Sequence, residues 1–144
     1  MMEFDVKLGY DPAWIMQAVD LYAATVLGAK DPIRFSQALA NSYRVATVWD
    51  GGTLVGIGRM LSDGEYYAAI FDVAVLPVFQ KLGVGRLIME ALHAEAPGVS
   101  FYLTSTFGNV PFYQKLGFKK HRTAMAKYPP HLANSPYLVH EEDC

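Results

Sequence analysis

Asp72-Val73-Ala74-Val75-Leu76-Pro77-Val78-Phe79-Gln80-Lys81-Leu82-Gly83-Val84-Gly85-Arg86 sets the organisation of this chain. From Ile70 to Leu76 the residues are apolar and mostly β-branched or small, with Asp72 the single interruption, which is the pattern of a buried strand. Pro77 lacks the N–H a ladder needs and ends it. Gln80 to Gly85 is a loop with two glycines. From Arg86 the spacing of Leu87, Ile88, Ala91 and Leu92 predicts a helix with one apolar face. A strand, a glycine loop and a helix start together make an anion site. The first N–H groups of the helix have no intrahelical acceptor and carry partial positive charge. Glycines let a ligand approach the backbone. Phosphate or pyrophosphate suits such a cradle, and Lys81 and Arg86 add charge.

Two common phosphate motifs do not match. A Walker A loop needs Gly-Lys-Ser/Thr at its end, and the dinucleotide fingerprint needs a third glycine where Ile88 stands. A longer pattern does match. Val75-x-Pro77 followed by Gln80-x-x-Gly83-x-Gly85 resembles the acyl-CoA-binding motif of the GNAT acetyltransferases. Further on, Pro111-Phe112-Tyr113-Gln114-Lys115-Leu116-Gly117-Phe118 resembles the C-terminal motif of the same family. The two lie in the family's order. An ordinary βα turn would explain one of them and explains both poorly.

The resemblance implies an α/β (α+β) fold, with a mixed, mostly antiparallel central sheet flanked by about four helices. It implies splayed strands four and five, with the coenzyme's pantetheine arm in the gap. It also implies acetyl-CoA as cosubstrate and direct N-acetyl transfer to an amine. Val73 and Val75 become backbone partners of the thioester arm, and Gln80, Lys81, Leu82, Gly83, Val84, Gly85 and Arg86 the pyrophosphate cradle. Tyr113 matches the family tyrosine that reprotonates the leaving thiolate. A phenol with a pKa of about 10 can hold that proton at neutral pH. Many family members carry Asn seven residues before this tyrosine to bond the pantetheine; here Thr106 stands there. Asn109 suits a helix N-cap better. The expected acceptor is a small-molecule primary amine. Acetylation of a protein or peptide, and a CoA-binding module without turnover, are the alternatives. A homodimer is a possible assembly.

Asp72 is the residue the resemblance does not assign. A carboxylate inside an apolar strand needs a partner or a function. It could collect the amine proton, hold the substrate cation, or pair with Arg59 or another basic residue on a neighbouring strand. Alternation places it on the face opposite Val73 and Val75.

The 144 residues suit one domain spanning 1–144. A net charge of −2 gives no general attraction to nucleic acid or an anionic membrane. Cys144 is the only cysteine, so no internal disulfide forms. No apolar run reaches spanning length and the N-terminus lacks signal-peptide features, which makes a cytoplasmic protein the expectation. The four histidines have no metal-like spacing, so no metal is expected.

Along the chain, Phe4 to Leu8 alternates as a first strand. Asp11-Pro12 and Asp31-Pro32 each signal a helix start, the first helix running to Gly28 and the second to about Asn41. Tyr43–Trp49 and Thr53–Leu61 read as strands joined at Asp50-Gly51-Gly52, with Gly56 and Gly58 marking a bulge or a close backbone approach. Strand four spans Glu65–Leu76 and strand five Val99–Thr104, with the third helix ending near Ala96. A short helix starts at Asn109 or Val110 and stops at Gly117, and Phe118–Lys127 reads as strand six. Trp14, Tyr22, Phe35, Tyr43, Tyr66 and Tyr67 are aromatic candidates for an acceptor wall, most of them core.

Overall fold

The computed structural model describes residues 3–140, so Cys144 lies outside the described residues. Five strands form one sheet in sequence order: β1 (Asp5–Leu8), β2 (Arg44–Asp50), β3 (Thr53–Ser62), β4 (Tyr67–Val75) and β5 (Ser100–Leu103). The first four are antiparallel and β5 runs parallel to β4. Helices α1 (Ile15–Ala23), α2 (Pro32–Ala40), α3 (Val84–Ala94) and α4 (Val110–Lys115) complete the architecture, which is the expected mixed sheet with four helices. Among the described residues no helix is long and apolar enough to cross a membrane. The chain divides into two compact units, the first reaching Thr106 and the second beginning at Phe107.

In the first unit each sheet face has its own cover. Trp14, Ala18, Leu21, Tyr22, Phe35 and Leu39, from the α1–α2 region, cluster with Val45, Trp49, Leu54, Ile57 and Ala74 of the sheet. Val84, Ile88, Met89 and Leu92 form the buried stripe of α3. The glycines of β3 explain how closely α3 sits. A Cβ on Gly56 would lie 2.5 Å from Val84 Cγ1, and one on Gly58 would lie 2.6 Å from Ile88 Cγ2. Both distances are far inside van der Waals contact. Close backbone approach is therefore their role, and a register break also falls at Gly58.

Both Asp-Pro signals work as read. The Asp11 carboxylate accepts from the Ala13 N–H at 2.9 Å and that of Asp31 accepts from the Arg34 N–H at 2.9 Å. The first opens a short 3₁₀ turn, Pro12–Trp14, before α1. Helix α1 then stops at Ala23, short of Gly28. The Thr25 hydroxyl donates to the Tyr22 carbonyl at 2.9 Å and accepts from the Leu27 N–H at 3.2 Å, a local turn that competes with the helix ladder. Strand β4 begins at Tyr67 rather than Glu65 for a related reason. The Asp63 carboxylate takes the N–H groups of Glu65, Tyr66 and Tyr67 at 2.8, 2.8 and 3.1 Å, diverting them from strand pairing.

In the second unit the expected strand six does not form. Residues 118–127 are turn and irregular backbone, and most are exposed. Lys119, Lys120, His121 and Arg122 supply no apolar alternation, and a β-propensity run without a paired neighbour cannot hold a ladder. Asn109 occupies the N-cap position of α4, but its side chain makes no capping bond. Gly117 ends that helix in the left-handed region, at φ 96. From there to residue 140 the backbone is irregular except for the 3₁₀ turn Pro130–Leu132.

Candidate active site

Strand β4 is paired on both edges only through its first half. Its parallel partnership with β5 covers Tyr67 to Ile70, matched to Ser100 to Leu103. Beyond Ile70 it pairs with β3 alone. The two strands thus part company where the splay is expected, and among the described residues no strand lies beside that edge of Phe71–Val75. The other edge carries a bulge. Arg59 pairs with Phe71 and Ile57 with Ala74, so Gly58 alone stands opposite both Asp72 and Val73. Asp72 takes the extra turn at φ 57, a left-handed conformation that Asp tolerates better than most residues.

The bulge places Asp72 among cations. Its Oδ2 accepts from Arg59 Nε at 2.8 Å and its Oδ1 from Lys30 Nζ at 3.0 Å. Its backbone carbonyl accepts from the Tyr22 hydroxyl at 2.6 Å. Lys30 lies 5.3 Å from the ring centroids of both Tyr22 and Phe35. Burial by itself would raise the Asp72 pKa; the Arg59 hydrogen bond and the charge of Lys30 outweigh it and hold the carboxyl below its usual range. The Tyr22 phenol is pushed well up, first by burial and then by the Asp72 charge, so it stays a donor. Of the three readings of Asp72, pairing with Arg59 is present in the structure. A carboxylate so stabilised has little affinity for a further proton.

Val73 and Val75 are half-buried. Val73 points toward α3, with its Cγ2 3.3 Å from where a Gly58 Cβ would be, while Ala74 joins the α1–α2 core. The loop that follows is braced by the Gln80 side chain, whose Nε2 donates to the Val75 carbonyl at 3.2 Å. Lys81 adopts φ 64 and Gly83 φ 88. Helix α3 starts at Val84, two residues earlier than its periodicity suggests, so Gly83 is its N-cap and Val84, Gly85 and Arg86 form its first turn. No side chain caps it. A Cβ on Gly83 would meet nothing within 4 Å, so the space before these N–H groups is open. Lys81 and Leu82 are exposed, and Arg86 lies along the helix to Glu90 at 2.7 Å. That pair is exposed and weak enough to exchange for another anion. The donor set suits a pyrophosphate. Thr106 is half-buried in the irregular segment after β5, and its carbonyl accepts from the Ser105 hydroxyl at 2.8 Å.

In the second unit Tyr113 is half-buried on α4, edge-on to Phe112 at 4.9 Å and to Phe118 at 6.0 Å. Burial raises its pKa above the ordinary phenol value, which keeps it protonated at neutral pH. Of the aromatic candidates, Trp14, Tyr22 and Phe35 are core. Tyr66 and Tyr67 are exposed, and Tyr67 faces Tyr102 at 6.1 Å. Lys30 escaped the sequence reading. It sits in the α1–α2 connection, 42 residues before the carboxylate it meets, and has no local motif.

Residues 41–120 match the family model described as an acetyltransferase (GNAT) domain. Over 70 residues the chain is 37% identical to an uncharacterized N-acetyltransferase, ycf52, of Porphyra purpurea, covering 46% of this chain and 40% of that protein. It is equally 37% identical over 70 residues to a chloroplastic serotonin N-acetyltransferase of Oryza sativa, covering 46% and 35%. The chain thus spans about two fifths of the length of such curated relatives. A solved structure of a probable acetyltransferase from Staphylococcus aureus superposes with a TM-score of 0.75 at 26% identity, covering 87% of this chain and 98% of that one.

Proposed function

Because the chain belongs to the GNAT acetyltransferase family, we propose that it transfers the acetyl group of acetyl-CoA directly to the primary amine of a small molecule. One observation carries the reading: a β4 edge vacated by β5 runs straight into an uncapped helix start with open space before it. When bound there, acetyl-CoA supplies an activated thioester carbonyl and a thiolate leaving group. The N–H groups of Val84, Gly85 and Arg86 hold its pyrophosphate, and Lys81 adds charge nearby. The backbone of Val73 and Val75 aligns the arm in place of the missing strand, and a β4 N–H near Val73 polarises the carbonyl. Thr106 offers the hydroxyl where the family commonly has an amide. Tyr113 holds a proton for the sulfur, consistent with its raised pKa. Asp72, engaged by two cations, fixes the bulge and the local charge, and water collects the amine proton.

A small acceptor is favoured because the cations beside the bulge are half-buried, and a compact molecule reaches them more readily than a polypeptide. The relative named for serotonin, a small primary amine, is in keeping with that. The test is release of free thiol from acetyl-CoA against a panel of small amines and of peptides. Turnover with small amines alone is expected. Turnover with peptides alone would replace the acceptor class, and tight acetyl-CoA binding with no release for any acceptor would make the protein a binding module.

A further inference from the structure

We propose that Lys30 and Arg59 form a subsite for an anionic group, carboxylate or phosphate, carried by the acceptor amine itself. This rests on the transferase reading and narrows its substrate class. The charge count comes first. One carboxylate, Asp72, is shared by two cations, which leaves an excess of one positive charge. The side chains are only 24% (Lys30), 18% (Arg59) and 16% (Asp72) exposed. An excess charge that is only partly hydrated is favoured by a counter-anion that completes it.

The geometry leaves donors for that anion. Arg59 engages Asp72 through Nε alone, because the second carboxylate oxygen is taken by Lys30. Its two terminal nitrogens make no hydrogen bond to a described residue. They are the pair that holds a carboxylate or phosphate in a forked contact. Lys30 spends one of its three N–H donors on Asp72 and rests its charge against the rings of Tyr22 and Phe35. Pinning the α1–α2 connection to the bulge requires one cation for the carboxylate; the second is what an external anion would neutralise.

The position fits the acceptor and not the coenzyme's phosphates. Asp72 directly precedes Val73, at the point where β4 has parted from β5. Arg59 sits 5.6 Å from the Phe71 ring centroid, on the sheet face that carries α1 and α2. Helix α3 and its phosphate-binding start lie on the opposite face. Phe71 and Tyr67 are exposed on β4 and offer aromatic surface to the body of a small molecule.

The experiment compares acceptors that differ only by the anionic group: tyrosine against tyramine, and O-phosphoethanolamine against ethanolamine. For wild type, kcat/KM for the anionic member of at least one pair should exceed that of its partner about tenfold, mostly through KM, with the ratio falling as salt is added. Lys30→Gln should bring that ratio close to one, and Lys30→Arg should retain it. The two pairs separate carboxylate from phosphate. A wild-type ratio at or below one in both pairs, or a ratio unchanged in Lys30→Gln, overturns the subsite. Calorimetric binding of the same four compounds separates the two readings. Charge-selective binding lost in Lys30→Gln, without any transfer, keeps the subsite and removes the transferase reading. Transfer without charge preference does the reverse, and absence of both removes both.

Discussion

Replacing Asp72 by Asn tests the bulge cluster most directly. Asn adopts the left-handed conformation at least as readily as Asp, so the backbone at φ 57 is not disturbed. The amide oxygen can still accept from Arg59, but the charge is gone and two cations face each other without it. Exposed ion pairs contribute up to about 1 kcal/mol each, and breaking a fully buried pair costs about 3–5 kcal/mol. With Asp72 16% exposed and its partners 18% and 24% exposed, the cluster lies between these limits. After discounting for solvent screening, a loss of about 2 kcal/mol at pH 7 is expected, or about 6 °C in Tm for a chain of this size.

The loss should depend on pH in a definite direction. The folded-state pKa of Asp72 is depressed, so its contribution is complete above the unfolded-state value of about 3.9. It fades as the pH falls through the lower folded-state value. Denaturant unfolding of both proteins from pH 7 down to about pH 3 should show the gap narrowing only below about pH 4. The exposed Asp63 is also depressed, by the N–H groups of Tyr66, Glu65 and Tyr67, but it is common to both proteins and cancels. A gap that stays constant across this range, or that is absent at pH 7, would refute the account of Asp72 as a carboxylate held charged by Arg59 and Lys30.

Gly83→Glu should weaken acetyl-CoA binding by at least about tenfold in calorimetry, since a carboxylate enters the open space before the α3 N–H groups; Gly83→Ala, at φ 88, controls for backbone strain of about 1 kcal/mol. Tyr113→Phe keeps the ring packing against Phe112 and Phe118 and should lower kcat about 100-fold, the lower end for general acid catalysis, with Tm and acetyl-CoA affinity little changed; full activity in the folded variant would exclude Tyr113 as the acid. Gly58→Ala forces a Cβ to within 2.6 Å of Ile88 Cγ2 and should cost about 1–3 kcal/mol by chemical denaturation; a neutral result would mean that α3 retreats freely from β3.

What the sequence by itself determined is local or carried by motif. The helix starts at Asp11-Pro12 and Asp31-Pro32, the hairpin at Gly51, and the glycine loop from Gln80, which ends at Gly83 rather than Gly85, rest on capping, turn chemistry and fixed backbone preferences, all acting within a few residues. The family is legible for the same reason, because its motifs are short. Boundaries set by competing local bonds were less legible: Thr25 ends α1 early and Asp63 delays β4, each by a side chain outbidding the backbone ladder. Strand six does not form because Lys119–Arg122 supply no apolar face to bury, and a run of residues says nothing by itself about whether a neighbour exists to pair with. Tertiary structure alone decided the environment of Asp72. Lys30 and Arg59 reach it across separations of 42 and 13 residues, and Tyr22 across 50, through a bulge whose geometry depends on Gly58 opposing two residues at once. Charge pairing and burial are set by distances through space, and no pattern along the chain encodes them.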